Sequence, residues 1–201
     1  MFEQRSAIQL QLGAGGRDGS EGQRALRLNE VRGWQLAQLA VFEGCEPEFA
    51  SAVEPLLGAR LPSTAAVAGS ARGRIFRTAP DQYWVVSGEA ALLAALALAV
   101  PPGVGAVTLL SHARVRLAIS GAPARALLAK GIAIDLDPEA FPVGHAVSTG
   151  LHHNGVLLEH TTADGYELYV PRTYAVSMWE WLVDAALEFG YDVGVESSPT
   201  T

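Results

Sequence analysis

The chain contains Asp81-Gln-Tyr83-Trp-Val-Val and, further on, Asp164-Gly-Tyr166-Glu-Leu-Tyr-Val, two stretches with the same chemistry. Each has a turn-forming Asp, a Tyr and an apolar strand, and each leads into a helical run. Around each stretch the elements follow one order: strand, helix, two strands, helix, strand. This repetition predicts an internal duplication of a split β-α-β unit, with halves at about 31–111 and 112–195. The predicted fold class is therefore α+β, with two ferredoxin-like halves in tandem.

In the first half, apolar spacing and turn residues predict five segments, at residues 34–42 (strand), 47–57 (helix), 72–78 with 82–87 (hairpin), 88–99 (helix) and 104–111 (strand). Gly58 is expected to end the first helix, and Ser87 to cap the second. The most apolar run, residues 90–100, is too short for a bilayer, which needs about 20 residues. We expect it to form a buried helix.

In the second half, the same reasoning predicts segments at residues 114–120 (strand), 123–130 (helix), 132–144 (loop), 145–153 with 156–162 (hairpin), 166–170 (strand) and 173–189 (helix). The dipeptide Asn154-Gly155 is typical of a type I′ hairpin turn. Gly190 is expected to end the last helix.

Strand register predicts which side chains share a face. A two-residue turn at Asn154-Gly155 places Leu151 on the same face as Val156 and Leu158. A three-residue loop at 163–165 then brings Leu168 to that face, whereas a two-residue loop would turn it away. We therefore expect the three-residue loop, with positive φ at Gly165.

Composition indicates a folded chain with a large core, because hydrophobic residues make up 49% and charged residues 17%. The net charge of −7 and the scattered arginines argue against nucleic-acid binding. The single Cys45 excludes an intramolecular disulfide, and with no apolar signal segment at the N-terminus this predicts a cytoplasmic protein. The Gly-rich residues 1–30 are expected to be a mostly flexible tail, and residues 31–201 a single domain.

Four of the five histidines lie close together in sequence and suggest a metal site. However, His152 and His153 are neighbours on a predicted strand and face opposite ways. His160 is expected opposite Thr149, about 13 Å along the strand from His145. Three ligands would not converge, so we interpret these histidines as structural.

Other candidate groups also have simpler interpretations. Ser111 and His112 are neighbours on a strand and cannot act as nucleophile and base. Asp135 and Asp137 could do acid–base work or bind a cation, but aspartates commonly cap turns in loops. Cys45 could be a reactive thiol, although no histidine lies near it in sequence. We assign no catalytic, cofactor-binding or metal-binding residue.

The last predicted helix carries two tryptophans. Trp179 and Trp181 are about 200° apart on it, so both cannot face the same neighbour. We interpret Trp181 as a core residue, and we take Trp179 with Met178 as the candidate interface, since tryptophan often anchors interfaces.

Two long motifs resemble the gamma subunit of heterotetrameric sarcosine oxidase: Leu117-x-Ile119-Ser-Gly121-Ala-Pro123-Ala-x-Ala-Leu127-Leu128-Ala-Lys-Gly131-Ile-x-Ile-Asp135-Leu-x-Pro138-x-x-Phe141-Pro142-x-Gly144 and Tyr169-Val-Pro-Arg-x-Tyr-Ala175-x-Ser-x-Trp179-x-Trp181-Leu-x-Asp-Ala-x-x-Glu-Phe189-Gly190. With Trp84, the resemblance covers about residues 27–193.

The first motif is also similar to the wider superfamily of aminomethyltransferases and folate-binding iron–sulfur assembly factors, which implies paired ferredoxin-like halves like those of their folate-binding domain. The transferases carry aspartates just after the hairpin glycine, whereas this chain has Leu158-Glu159 after Gly155. This departure argues against one-carbon transfer by this chain.

The resemblance implies a non-catalytic subunit of an oxidase that demethylates sarcosine. It places FAD, FMN, NAD and tetrahydrofolate in other subunits, and it implies alpha, beta and delta partners, with the folate-binding domain of alpha in contact with this chain. The alternative is a free-standing folate-binding or aminomethyltransferase-like protein, in which Asp135 or Glu159 would bind the pterin ring.

Overall fold

A computed structural model describes residues 6–197, which form two compact units. In order along the chain the helices and strands are α1 (Gln9–Leu12), β1 (Leu26–Arg32), β2 (Gln35–Val41), α2 (Glu46–Leu57), β3 (Ala68–Ser70), β4 (Gly73–Ala79), β5 (Gln82–Ser87), α3 (Ala90–Ala99), β6 (Gly105–Leu109), β7 (Arg114–Ser120), α4 (Ala124–Ala129), β8 (His145–Leu151), β9 (Asn154–Thr162), β10 (Gly165–Pro171), α5 (Ala175–Ala185) and β11 (Tyr191–Ser197).

Unit 2, residues 33–111, is a five-stranded sheet in the order β3-β4-β5-β2-β6. All neighbouring strands are antiparallel, so β2 and β4 run parallel to each other on either side of β5. This is the split β-α-β arrangement expected from the sequence. Both helices pack on one face of the sheet, where Phe49 and Val53 of α2 and Leu92 and Leu96 of α3 meet Val85.

Unit 1, residues 6–32 and 112–197, is a six-stranded sheet in the order β11-β1-β7-β10-β9-β8. Its order matches that of unit 2 strand for strand, except that β1 lies between β7 and β11. β1 pairs antiparallel with β7 and parallel with β11, so β7 and β11 keep the antiparallel relation that β2 and β6 have. The α+β fold with two sheets is confirmed.

The two Asp-x-Tyr stretches occupy equivalent tight turns. In each, a two-residue turn that ends in Asp follows a β-bulge, where the strand register shifts by one residue at Thr78 in unit 2 and at Thr161 in unit 1. The bulge in unit 1 moves Leu168 to the face of Leu158, as predicted. The predicted loop itself was wrong. The turn has two residues instead of three, and Gly165 is not among the described residues with positive φ.

The turn between β8 and β9 was also predicted wrongly. It consists of His152 and His153, with φ +52° at His152, rather than Asn154-Gly155. Tertiary contacts favour this position, since the His152 N–H donates to the Gly131 carbonyl and its ring meets Trp181 edge-on at 5.1 Å. The shift is an even number of residues, so side chains keep their predicted faces.

The N-terminal segment differs from the expected flexible tail. From residue 6 onward it contributes α1 and β1, and it buries Ile8 and Leu28 in the core of unit 1. It also approaches Gly121 closely: φ is +123° there, and a Cβ would lie 2.1 Å from the Ala25 carbonyl oxygen. The sequence did not predict this ordered structure because the segment has five glycines, and glycine gives little helix or strand signal. Residues 1–5 lie outside the described part.

The C-terminal region also differs in detail. The long helix predicted at 173–189 is α5, preceded by a 3₁₀ turn at Arg172–Tyr174 and ended by Gly190 with φ +67°. The strand β11 beyond it was not predicted, although Tyr191, Val193 and Val195 are spaced two residues apart, as is typical of a strand.

Candidate functional site

A buried ion pair lies on the face of the unit 1 sheet opposite to the helices. Arg116 of β7 donates to both carboxylate oxygens of Glu167 on β10, from Nε to Oε2 at 2.7 Å and from Nη2 to Oε1 at 2.9 Å. The two side chains are 5% and 13% exposed. Tyr169 completes the cluster: its hydroxyl donates to Glu167 Oε2 at 3.3 Å, and its ring lies 5.7 Å from the guanidinium.

Strand alternation places this cluster. Val115 and Leu117 face the helical core, so Arg116 between them faces the other side. Our sequence reasoning missed the cluster, although the strand pattern of β7 and an acid on β10 gave the signal. With both charges engaged by each other, the arrangement is typical of a structural ion pair.

Glu159 lies on β9 directly opposite Glu167 and is also buried. Asp135, the other acid considered for a pterin ring, lies in the loop before β8. It accepts the backbone N–H of Asp137 at 2.9 Å, and Asp137 in turn accepts that of Glu139 at 3.0 Å. These are turn-capping bonds of the kind expected for loop aspartates.

His160 is held in the helical core of unit 1. Its ring stacks on Tyr166 at 4.5 Å, and its Nδ1 lies 2.7 Å from the Phe141 carbonyl oxygen. That carbonyl can only accept, so Nδ1 carries a proton. Burial raises the pKa of the Tyr166 phenol; the Arg125 charge acts in the opposite direction, and the Asp164 charge raises it further.

The histidine positions correct one prediction. Because the hairpin turn lies at His152-His153, His160 pairs with His145 rather than with Thr149. Two histidines therefore face each other across the strands. Even so, no group of three or more His, Cys, Asp or Glu side chains that could hold a metal ion occurs between residues 6 and 197.

Ser111 and Cys45 belong to unit 2. The Ser111 hydroxyl accepts the Leu36 N–H at 3.1 Å, which ties the end of β6 to β2. The Cys45 thiol, at the start of α2, lies within 3.8 Å of two backbone carbonyl oxygens. Both side chains are thus engaged with the backbone, while His112 is exposed.

The candidate interface residues are placed in the core instead. Trp179 is 2% exposed and Met178 is 4% exposed, and both pack among the buried residues of unit 1. Neither offers a side chain to a partner in this conformation. The helix α5 turns them inward because its apolar stripe covers the sheet, and Trp181 packs at the margin of the same core.

No helix within residues 6–197 is both long and apolar enough to span a membrane.

Comparisons with known proteins agree with the geometry. The model of the sarcosine oxidase gamma subunit family matches residues 42–188. The sarcosine oxidase subunit gamma of Corynebacterium sp. (strain P-1) is 34% identical over 142 residues, which cover 69% of this chain and 70% of that one.

Two solved structures are similar. One is a chain of the heterotetrameric sarcosine oxidase from Corynebacterium sp. U-96, solved with pyrrole 2-carboxylate: the TM-score is 0.83 at 28% identity, over 92% of this chain and 95% of that one. The other is the glycine cleavage system aminomethyltransferase T from Bartonella henselae, which shares the fold at 20% identity and a TM-score of 0.57, over 87% of this chain and 48% of that one. The chain belongs to the sarcosine oxidase gamma subunit family.

Proposed function

We propose that this chain is a non-catalytic, structural subunit of a heterotetrameric sarcosine oxidase that oxidatively demethylates sarcosine. The observation that carries the proposal is the similarity to a chain of the Corynebacterium sp. U-96 oxidase, which extends over 92% of this chain and 95% of that one. An agreement over nearly the full length of both chains favours the same place in the same kind of assembly.

The polar groups support a structural role. Arg116 and Glu167 neutralise each other, Asp135 caps a turn, and His160 is held between an aromatic ring and a carbonyl. Catalytic acids and bases need a side chain that reaches a substrate, and a pKa suited to proton transfer. The contacts of these groups instead hold the sheet and its loops.

In this proposal the partners are the alpha, beta and delta subunits, and the complex works in the cytoplasm. FAD, FMN, NAD and tetrahydrofolate are bound by those other subunits. This chain would contribute surface and rigidity to the assembly, including to the folate-binding domain of alpha.

The test is capture of the complex through an affinity tag on this chain, expressed with the other subunits. We expect a yellow eluate with a flavin spectrum, containing two larger chains and one smaller one, that oxidises sarcosine. The tagged chain expressed alone is the control, and it should be colourless and inactive.

A different result would favour the alternative. If the tagged chain were recovered as a colourless monomer from cells that contain the other subunits, and bound tetrahydrofolate by itself, it would be a free-standing folate-binding protein and the proposal would be wrong.

A further inference from the structure

The helix α3 has an unusual surface for an element at the outside of a unit. Its ten residues are all alanine or leucine. One side is buried, while the other is exposed, and Leu98 on that side is 88% exposed. A helix that is apolar all round is typical of a fully buried element. Its exposed residues are Ala90, Ala91, Ala94, Ala97 and Leu98.

The neighbouring strand β6 is an edge strand of the sheet that residues 33–111 form. It packs against α3 and is the last strand of its sheet. The Leu110 N–H donates to the Leu36 carbonyl, and this sets the alternation of the antiparallel pairs. Consequently Gly105, Val107 and Leu109 direct their N–H and C=O groups away from β2. We call this edge and the exposed side of α3 the α3–β6 surface.

In unit 1 the corresponding strand and helix, β11 and α5, are less open to pairing with another chain. Its strand in the β6 position, β11, carries Asp192 and Glu196, and charges on an edge strand discourage pairing with other chains. Its helix in the α3 position, α5, is contacted by α1, and Ile8 next to α1 is fully buried. β6 has no charge and no proline, and Leu109 is 58% exposed.

We propose that the α3–β6 surface receives an extended, uncharged segment of another subunit of the oxidase, which adds to β6 as a further strand. The inference rests on the proposed function. Backbone groups that point outward at every second residue are complementary to an extended strand. An apolar surface without charge is complementary to apolar side chains, and Leu98 and Leu109 are the anchors that such a segment would cover.

The test uses the complete complex and a tag on this chain. Leu98→Glu places a charge on the outer side of α3. Leu109→Pro removes one outward N–H, a change that an edge strand tolerates. The matched control is Leu10→Glu, because Leu10 in unit 1 is as exposed as Leu98, at 89%. Circular dichroism of each isolated variant checks that it is folded.

We expect both Leu98→Glu and Leu109→Pro to lower recovery of the other subunits at least about tenfold, since a buried unpaired charge or a lost strand hydrogen bond weakens binding. Leu10→Glu should recover them like the wild type. Wild-type recovery with Leu98→Glu and Leu109→Pro would overturn the inference while leaving the proposed function intact. So would a homodimer of the isolated wild-type chain that Leu98→Glu converts to monomer without affecting the complex. Failure of the wild-type chain to recover any subunit would instead refute the proposed function.

Discussion

Replacing Arg116 with methionine should destabilise unit 1 strongly. The substitution keeps most of the side-chain volume but leaves the Glu167 carboxylate buried without its bidentate partner. The two hydrogen bonds that are lost measure 2.7 and 2.9 Å, and both side chains are almost excluded from water. Removing one partner of such a buried pair costs about 3–5 kcal/mol, because the remaining charge cannot be rehydrated.

The magnitude is large beside the total stability of a domain, which is roughly 5–15 kcal/mol. For a chain of this size about 1 kcal/mol shifts Tm by roughly 2–4 °C, so Tm should fall by at least about 6 °C. The assay is urea unfolding followed by far-UV circular dichroism at pH 7. The matched control is Arg125→Met, because Arg125 is exposed and forms a long surface ion pair, in which its Nη1 lies 3.7 Å from Asp137 Oδ2. Exposed pairs contribute about 0–1 kcal/mol.

A second variant separates the charge from the packing. In the double variant Arg116→Met, Glu167→Leu no charge of the pair is left, so its loss of stability should be smaller than that of Arg116→Met alone. If Arg116→Met cost less than about 1 kcal/mol, like Arg125→Met, the cluster would not be a stabilising ion pair, and the structural interpretation of these residues would be refuted.

Three further predictions concern other parts of unit 1. Leu28→Ala in β1 should lower the free energy of unfolding by about 2–5 kcal/mol, since it opens a cavity in the core, whereas Leu10→Ala should change it by less than about 0.5 kcal/mol; equal effects would mean that the N-terminal segment is not integral. Gly121→Ala should cost at least about 1–3 kcal/mol because of its positive φ and close backbone neighbour, while Gly155→Ala, which meets open space, should be nearly neutral by the same urea assay. The raised pKa of Tyr166 contributes stability that is complete below the unfolded-state value of 10 and is lost as pH rises through the folded-state value. Above pH 10 the free energy of unfolding of Tyr166→Phe should therefore fall less steeply with pH than that of the wild type. An unchanged slope would contradict a raised pKa for Tyr166.

The repeated Asp-x-Tyr stretches were the sequence feature from which most of the fold was predicted. They predicted two equivalent halves because turn chemistry and strand periodicity are local, and local signals survive in a single sequence. What they could not predict was β1. Leu26 and Leu28 belong to a strand whose partners, β7 and β11, both lie more than 80 residues further along the chain, and such pairing leaves little local trace.

The site was predicted less well. The Asn154-Gly155 dipeptide is a strong turn signal, but Gly131 and Trp181 favour the turn at His152 instead, and this brought His145 opposite His160. The pairing of Arg116 with Glu167 depended on register between strands that are not consecutive in the chain. Trp179 faces the core because its side of α5 meets the sheet. The sequence did not predict which side this would be, since the helix has a tryptophan on each of two opposite sides.

The central claim is that this chain supports the oxidase without taking part in the reaction. It is tested most directly by steady-state sarcosine oxidation by the assembled complex in which this chain carries Asp135→Asn and Glu159→Gln, the two acids considered for a pterin ring. The account predicts kcat and KM for sarcosine within about twofold of the wild-type complex, because a chain without a catalytic role places neither acid against the reacting atoms. A fall in kcat of a hundredfold or more in a fully assembled, flavin-loaded complex would contradict it.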